Sequence, residues 1–154
     1  MATLDDVYRK FGEASEAAQL LETELGTILI QERAHAQGLI ANRDPDRVAE
    51  LFEEINRATL GRILKSLEIS GSQFANLAEK LDRALTERNR LAHSFFRQHN
   101  LRRNSEDGRA SMYRDLETIH STILAAYKSV LLASSGIDLE KAGATELPTK
   151  HLPL

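Results

Sequence analysis

The stretch LDDVYRKFGEASEAAQLLETELGTILIQERAHAQGLI, from Leu4 to Ile40, decides the fold. Its apolar residues fall at Leu4, Val7 and Tyr8, Phe11, Ala18, Leu21, Leu25, Ile28 and Leu29, Ala36, and Leu39 and Ile40. Spacings of three and four trace one stripe down a helix of 3.6 residues per turn. The stretch reads as one long helix, bent near Gly12 or Gly26. Working outward, Asp44-Pro45 supplies an N-cap and a proline at the first helical position, opening a second helix through Val48 to Ile55. That helix breaks or kinks around Thr59-Leu60-Gly61, before Ile63 to Leu67. Ser70-Gly71-Ser72 signals a turn, and Phe74, Leu77 and Ala78, Leu81, Leu85, Ala92, and Phe95 and Phe96 carry the next amphipathic helix. Asn100 to Gly108 reads as a polar loop. A last helix runs from about Ala110 to Ala133, stopped by Ser134-Ser135-Gly136.

Four or five helices with short connections predict an all-α fold, an antiparallel bundle over residues 1–134 followed by a loose tail over 135–154. The composition agrees: 42% of the 154 residues are hydrophobic but only 5% are aromatic, with no Trp, so the core must come from Leu, Ile and Ala. The absence of Cys excludes disulfides, thiolate metal sites and cysteine nucleophiles. Met1 to Asp6 lacks a basic patch followed by an apolar run, and no stretch approaches the roughly 18 uninterrupted apolar residues of a membrane span. A cytoplasmic protein with no membrane association is expected.

The net charge is −3, but it is unevenly spread. Residues 83–114 hold eight cations (Arg83, Arg88, Arg90, Arg97, Arg102, Arg103, Arg109, Arg114) against three anions (Glu87, Glu106, Asp107), a balance of +5 that leaves −8 elsewhere. Every cation in that window is Arg, whose planar fork suits phosphate oxygens better than the Lys ammonium does. The same pattern also fits a solvated arginine-rich loop.

Within the window, Leu81, Leu85, Ala92 and Phe96 fall within about 40° of one line when each residue advances about 100°. Arg88 falls on that line too. A guanidinium where the pattern asks for Leu costs several kcal/mol in desolvation unless a carboxylate or a ligand anion faces it. Glu22 and Glu32 are candidate partners. Asn89 lies at the stripe's edge, with His93 four residues on and Arg97 one turn later, so these side chains line one flank. That boundary between buried and wet surface can hold a phosphate beside a group that titrates near neutrality.

Glu87-Arg88-Asn89-Arg90-Leu91-Ala92-His93-Ser94-Phe95-Phe96 resembles the Arg-x4-6-His motif of the HEPN superfamily, in the variant with a polar residue after the Arg and an aromatic pair after the His. The resemblance covers under a tenth of the chain. It implies a HEPN-like bundle of four or five helices, two protomers of which bring their motifs together in a cleft. It further implies an endoribonuclease that needs no metal or other cofactor. His93 would act as general base or acid on the ribose 2′-hydroxyl, Arg88 would hold the scissile phosphate, and Asn89 would orient the phosphate or the imidazole. Products would be a 2′,3′-cyclic phosphate and a 5′-hydroxyl, from RNA and not from DNA. Such proteins include the toxin halves of two-component operons and defence systems, so a separate antitoxin or regulatory protein is a further expected partner. Arg90, Arg97, Arg102 and Arg103 are assigned as RNA backbone contacts on local charge alone.

Two other readings fit the sequence. One is a non-catalytic HEPN-like module that binds nucleotide, RNA or protein. The other is a di-metal carboxylate bundle, suggested by the Glu-x-x-His pairs Glu32/His35 and Glu117/His120, with Glu53 or Glu54 and Glu79 or Glu87 completing the set. Against it, His120 reads as a hydrogen-bonded core histidine, and His35, His99 and His151 have no evident partner.

Overall fold

The computed structural model describes residues 1–69, 76–136 and 138–140. The chain is all-α. Among the described residues there are six α-helices and no strand: α1 (Leu4–Ala36), α2 (Pro45–Asn56), α3 (Leu60–Ile69), α4 (Ala78–His93), α5 (Phe95–His99) and α6 (Glu106–Ser135), with a 3-10 turn over Asn100–Asn104. The Ser70-Gly71-Ser72 turn, Phe74 and the tail from residue 141 lie outside the described residues. No helix among those described is long and apolar enough to cross a membrane.

Local chemistry sets the helix ends. Thr3 and Asp6 form a reciprocal capping box at the start of α1: Asp6 N donates to Thr3 Oγ1 at 3.1 Å and Thr3 N to Asp6 Oδ2 at 2.8 Å. The helix runs unbroken through Gly12 and Gly26 but stops at Ala36, four residues short of the expected end. The cause is Gly38, at φ 68°. Its N–H bonds to the His35 carbonyl while Leu39 N–H reaches back to Ala34, the Schellman pattern that a left-handed glycine permits. Asp44 caps α2 as expected, its side chain accepting from Arg47 N at 3.1 Å. The break at Thr59 is also present, with α3 starting at Leu60 and Thr59 Oγ1 accepting from Arg62 N.

Two further expectations differ from the structure. The last helix begins at Glu106 rather than Ala110, because Ser105 Oγ accepts from Gly108 N at 3.1 Å and caps a first turn rich in acid. The residues read as a polar loop are therefore a 3-10 turn followed by the first turn of α6. The helix drawn continuously to Phe96 instead breaks at Ser94, whose φ of −139° is not helical. Its buried line is accordingly Leu81, Ala84, Leu91 and Phe95, while Ala92 and Phe96, expected inside, are exposed.

Contacts group the chain into two compact units. One comprises Met1–Leu21 and Leu77–Ser129; the other, the described residues of Glu22–Asn76 and Val130–Leu154. In the first, Val7, Ala14, Ala17 and Leu21 of α1 are buried with the α4 line and with Met112, Leu116, Ile119, Ile123 and Ala126 of α6. Lys80 Nζ meets Ser129 Oγ at 3.0 Å near the start of α4, and Arg90 meets Asp115 near its end, so α4 runs antiparallel to α6. Arg109 Nε donates to the Ala2 carbonyl at 3.2 Å, which sets the starts of α1 and α6 side by side. In the second unit, Leu25, Ile28, Leu29, Leu51, Ile55, Leu60, Ile63 and Leu64 form the core. There α1 and α2 make an antiparallel hairpin, tied by Arg47 Nε to Gln37 Oε1 at 3.0 Å and by Arg33 to Glu54 at 3.6 Å.

Candidate functional site

Arg88 stands on the line Leu81, Ala84, Arg88, Leu91, Phe95, whose 3-4-3-4 spacing is that of a buried helical seam. Its side chain is half-buried and its Nη1 donates to Asn89 Oδ1 at 3.2 Å. Asn89 itself is exposed, as is His93 one turn later. His93 is the last residue of α4: Ser94 N–H and Oγ both donate to the Arg90 carbonyl and close the final turn, and the φ of −139° at Ser94 takes the chain out of the helix. Arg97, also exposed, reaches back from α5 and donates through Nη2 to the His93 carbonyl at 2.9 Å. The helix end thus presents a guanidinium, an amide, an imidazole and a second guanidinium in sequence.

Arg90 behaves differently. Its Nη1 donates to Asp115 Oδ2 at 2.7 Å and to Gln98 Oε1 at 3.2 Å, its Nη2 to Asp115 Oδ1 at 2.6 Å and to Glu87 Oε2 at 2.8 Å, and its Nε to Glu87 Oε2 at 3.2 Å. A guanidinium has five N–H groups, and here five hydrogen bonds to four acceptor oxygens occupy them, leaving no donor for a phosphate. The fork pairing with Asp115 holds the Asp115 carboxyl below the usual carboxylate range, a shift that burial opposes and the His99 hydrogen bond reinforces. Asp115 in return raises the affinity of Arg90 for its proton.

His99, for which the sequence offers no partner, is the buried end of this network. Its Nε2 lies 2.6 Å from Asp115 Oδ2, and Arg102 Nη1 lies 3.0 Å from its Nδ1. Because a guanidinium only donates, Nδ1 must accept, which places the ring proton on Nε2 and points it at Asp115. Phe95 packs on the imidazole with ring centroids 4.6 Å apart. Arg102 is therefore tied to the fold, while Arg103 offers its carbonyl to Arg109 Nη1 at 3.1 Å and has an exposed side chain. The network joins the end of α4, α5, the 3-10 turn and α6, and fixes the backbone that carries Arg88, Asn89 and His93. The sequence signal for it was an acid, Asp115, beside the buried Met112-Leu116-Ile119 line and directly after the arginine-rich window of residues 83–114.

The 3-10 turn passes over α6 at Gly108. A Cβ there would sit 2.0 Å from the Arg102 carbonyl oxygen, so only glycine fits. Just past the motif, on α5, Phe96 lies against Tyr8, Phe11 and Phe95, with ring centroids 6.2, 5.0 and 5.1 Å away.

The rival residues are placed otherwise. Among the described residues no group of three or more His, Asp or Glu side chains is arranged to hold a metal ion. His35 and Glu117 are exposed. His120 is partly buried, and burial, then nearby Lys10, lowers its affinity for a proton. In the second unit a cavity of about 350 Å³ is lined by residues of α1, α2, α3 and the segment joining α2 to α3, among them Arg33, Glu54, Arg57 and Arg62; no residue of the motif lines it. Comparison of the chain with protein-family models, curated proteins and solved structures finds no match in any of the three.

Proposed function

We propose that this chain is a HEPN-like, metal-independent endoribonuclease of toxin or defence type, working in the cytoplasm as a homodimer whose two motifs face one cleft. The observation that carries the reading is the contact between Arg88 and Asn89 on a half-buried seam, with exposed His93 one turn away at the helix end. A guanidinium rooted in a partly dry seam interacts with a phosphate more strongly than one in open water. His93 takes the proton from a ribose 2′-hydroxyl. The 2′-oxygen attacks the adjacent phosphorus, the bond to the 5′-oxygen breaks, and a protonated imidazole of the second protomer supplies that oxygen with its proton. Arg88 compensates the charge that grows on the non-bridging oxygens. Asn89 accepts from Arg88 through Oδ1, which fixes the guanidinium and leaves its NH2 to donate to the phosphate. Arg97 and Arg103 contact the RNA backbone, whereas Arg90 and Arg102 hold the site in shape through Asp115 and His99. A separate antitoxin or regulatory protein restrains the activity.

The chemistry is tested with a DNA strand carrying one ribonucleotide. Cleavage after that residue, giving 2′,3′-cyclic phosphate and 5′-hydroxyl ends, is expected, and an all-DNA strand should survive. Products with 3′-hydroxyl and 5′-phosphate ends would rule out attack by the 2′-oxygen.

A further inference from the structure

Phosphate and ribose have assigned partners in this reading, but the base does not. Three residues past His93, on α5, the surface carries Phe96, and Tyr8 lies against it; each of these two large aromatic rings is 44% exposed. They meet edge to face at 6.2 Å and 60°. Phe96 is also braced by Phe11 at 5.0 Å and by the buried Phe95 at 5.1 Å, so its position is fixed before any ligand arrives. Its chain neighbour Arg97 is hydrogen-bonded to the His93 carbonyl, which keeps a cation at the same turn.

We infer that Phe96, supported by Tyr8 and Phe11, is a stacking platform for a base of single-stranded RNA next to the phosphate held by Arg88. This rests on the RNA reading proposed above. Every base has a π-face, and aromatic rings beside arginines are the usual means of holding unpaired bases without sequence readout. The size of the patch favours this occupant over a second copy of the chain. Stable protein interfaces bury about 800 Å² on each partner through some 20 to 30 residues, whereas two half-exposed rings offer an area of base size. The platform makes the site selective for single strands, because a paired base cannot turn its face onto Phe96.

The test uses a fluorescein-labelled single-stranded 2′-O-methyl RNA, which lacks the attacking hydroxyl and cannot be cut, and the same strand with abasic positions. Binding is followed by anisotropy. Phe96→Ala should weaken binding of the intact strand about tenfold, Phe96→Tyr should restore it, and the abasic strand should bind weakly and not respond to either change. Phe96→Leu keeps the apolar contact with Phe11 but has no π-face; it should lose binding as Phe96→Ala does, with unchanged helix content by circular dichroism. Folded Phe96→Ala or Phe96→Leu that binds the intact strand as wild type does would overturn the platform. So would an equal loss on both strands accompanied by a fall from dimer to monomer in sedimentation, which would give the patch to a second copy. Wild type that binds the strand yet cuts no RNA would remove the endoribonuclease reading and leave the platform standing. Cleavage by Phe96→Ala with an unchanged KM would remove the platform alone.

Discussion

Arg88 and Arg90 stand two residues apart on α4 and differ in what surrounds them. All five N–H groups of Arg90 meet acceptors, two of them on Asp115, while Arg88 holds Asn89 at the edge of the buried seam. The two should fail differently when changed. Arg90→Ala leaves Asp115 with one partner fewer in a partly buried place and should cost about 1–3 kcal/mol in urea unfolding, since the pair is not fully dry. Arg88→Ala should instead lower RNA cleavage by about 10²–10³-fold while leaving binding of an uncleavable strand within a few-fold, as expected for a group that acts on developing charge. Asp115 also sets a pH dependence. Its carboxyl titrates lower in the folded chain than in the unfolded one, so its contribution to stability is complete above the unfolded value near 3.9 and is lost as pH falls through the lower folded value. Asp115→Asn should therefore flatten the acid limb of stability below about pH 4 relative to wild type, as measured by thermal unfolding across pH.

At the scale of elements, the helices themselves were legible because apolar spacing of three and four survives over many residues. Ends were less so. Gly38 and Ser105 are the signals that correct the ends of α1 and α6, and both are local: a left-handed glycine and a serine accepting from Gly108. Each was outweighed in the sequence by neighbours that looked helical, Leu39 and Ile40, or loop-like, Asn100 to Asp107. Ser94 carries no comparable signature, since its break depends on α5 turning toward Phe11, a contact between distant parts of the chain. For the same reason the order Arg88, Asn89, His93 was readable while the Arg90–Asp115–His99–Arg102 network was not: one follows from helical spacing, the other joins helices 25 residues apart in sequence. Gly38→Ala should cost about 1 kcal/mol through its positive φ. Gly108→Ala should cost more, about 3 kcal/mol, because the backbone of the 3-10 turn must move away from the new methyl; comparing the two by urea denaturation checks both the cap and the crossing.

For the whole molecule, every residue assigned to RNA cleavage lies in the unit formed by Met1–Leu21 and Leu77–Ser129. All-α architecture follows from a sequence with long helical periodicity, few aromatics and no Cys, and the structure agrees. Chemistry does not follow from architecture, since helical bundles serve many functions. It follows from what stands at the end of α4. The homodimer in the proposal is open to sedimentation at micromolar concentration, where a dimer is expected and a monomer would remove the shared cleft. Most direct is the rate of single-stranded RNA cleavage in excess chelator by wild type and by His93→Ala, purified identically and shown to be equally helical. Wild type should cut, and the variant should be slower by about 10²–10⁴-fold; equal rates, or no cleavage by wild type, would contradict the assignment of His93 as the group that moves the proton.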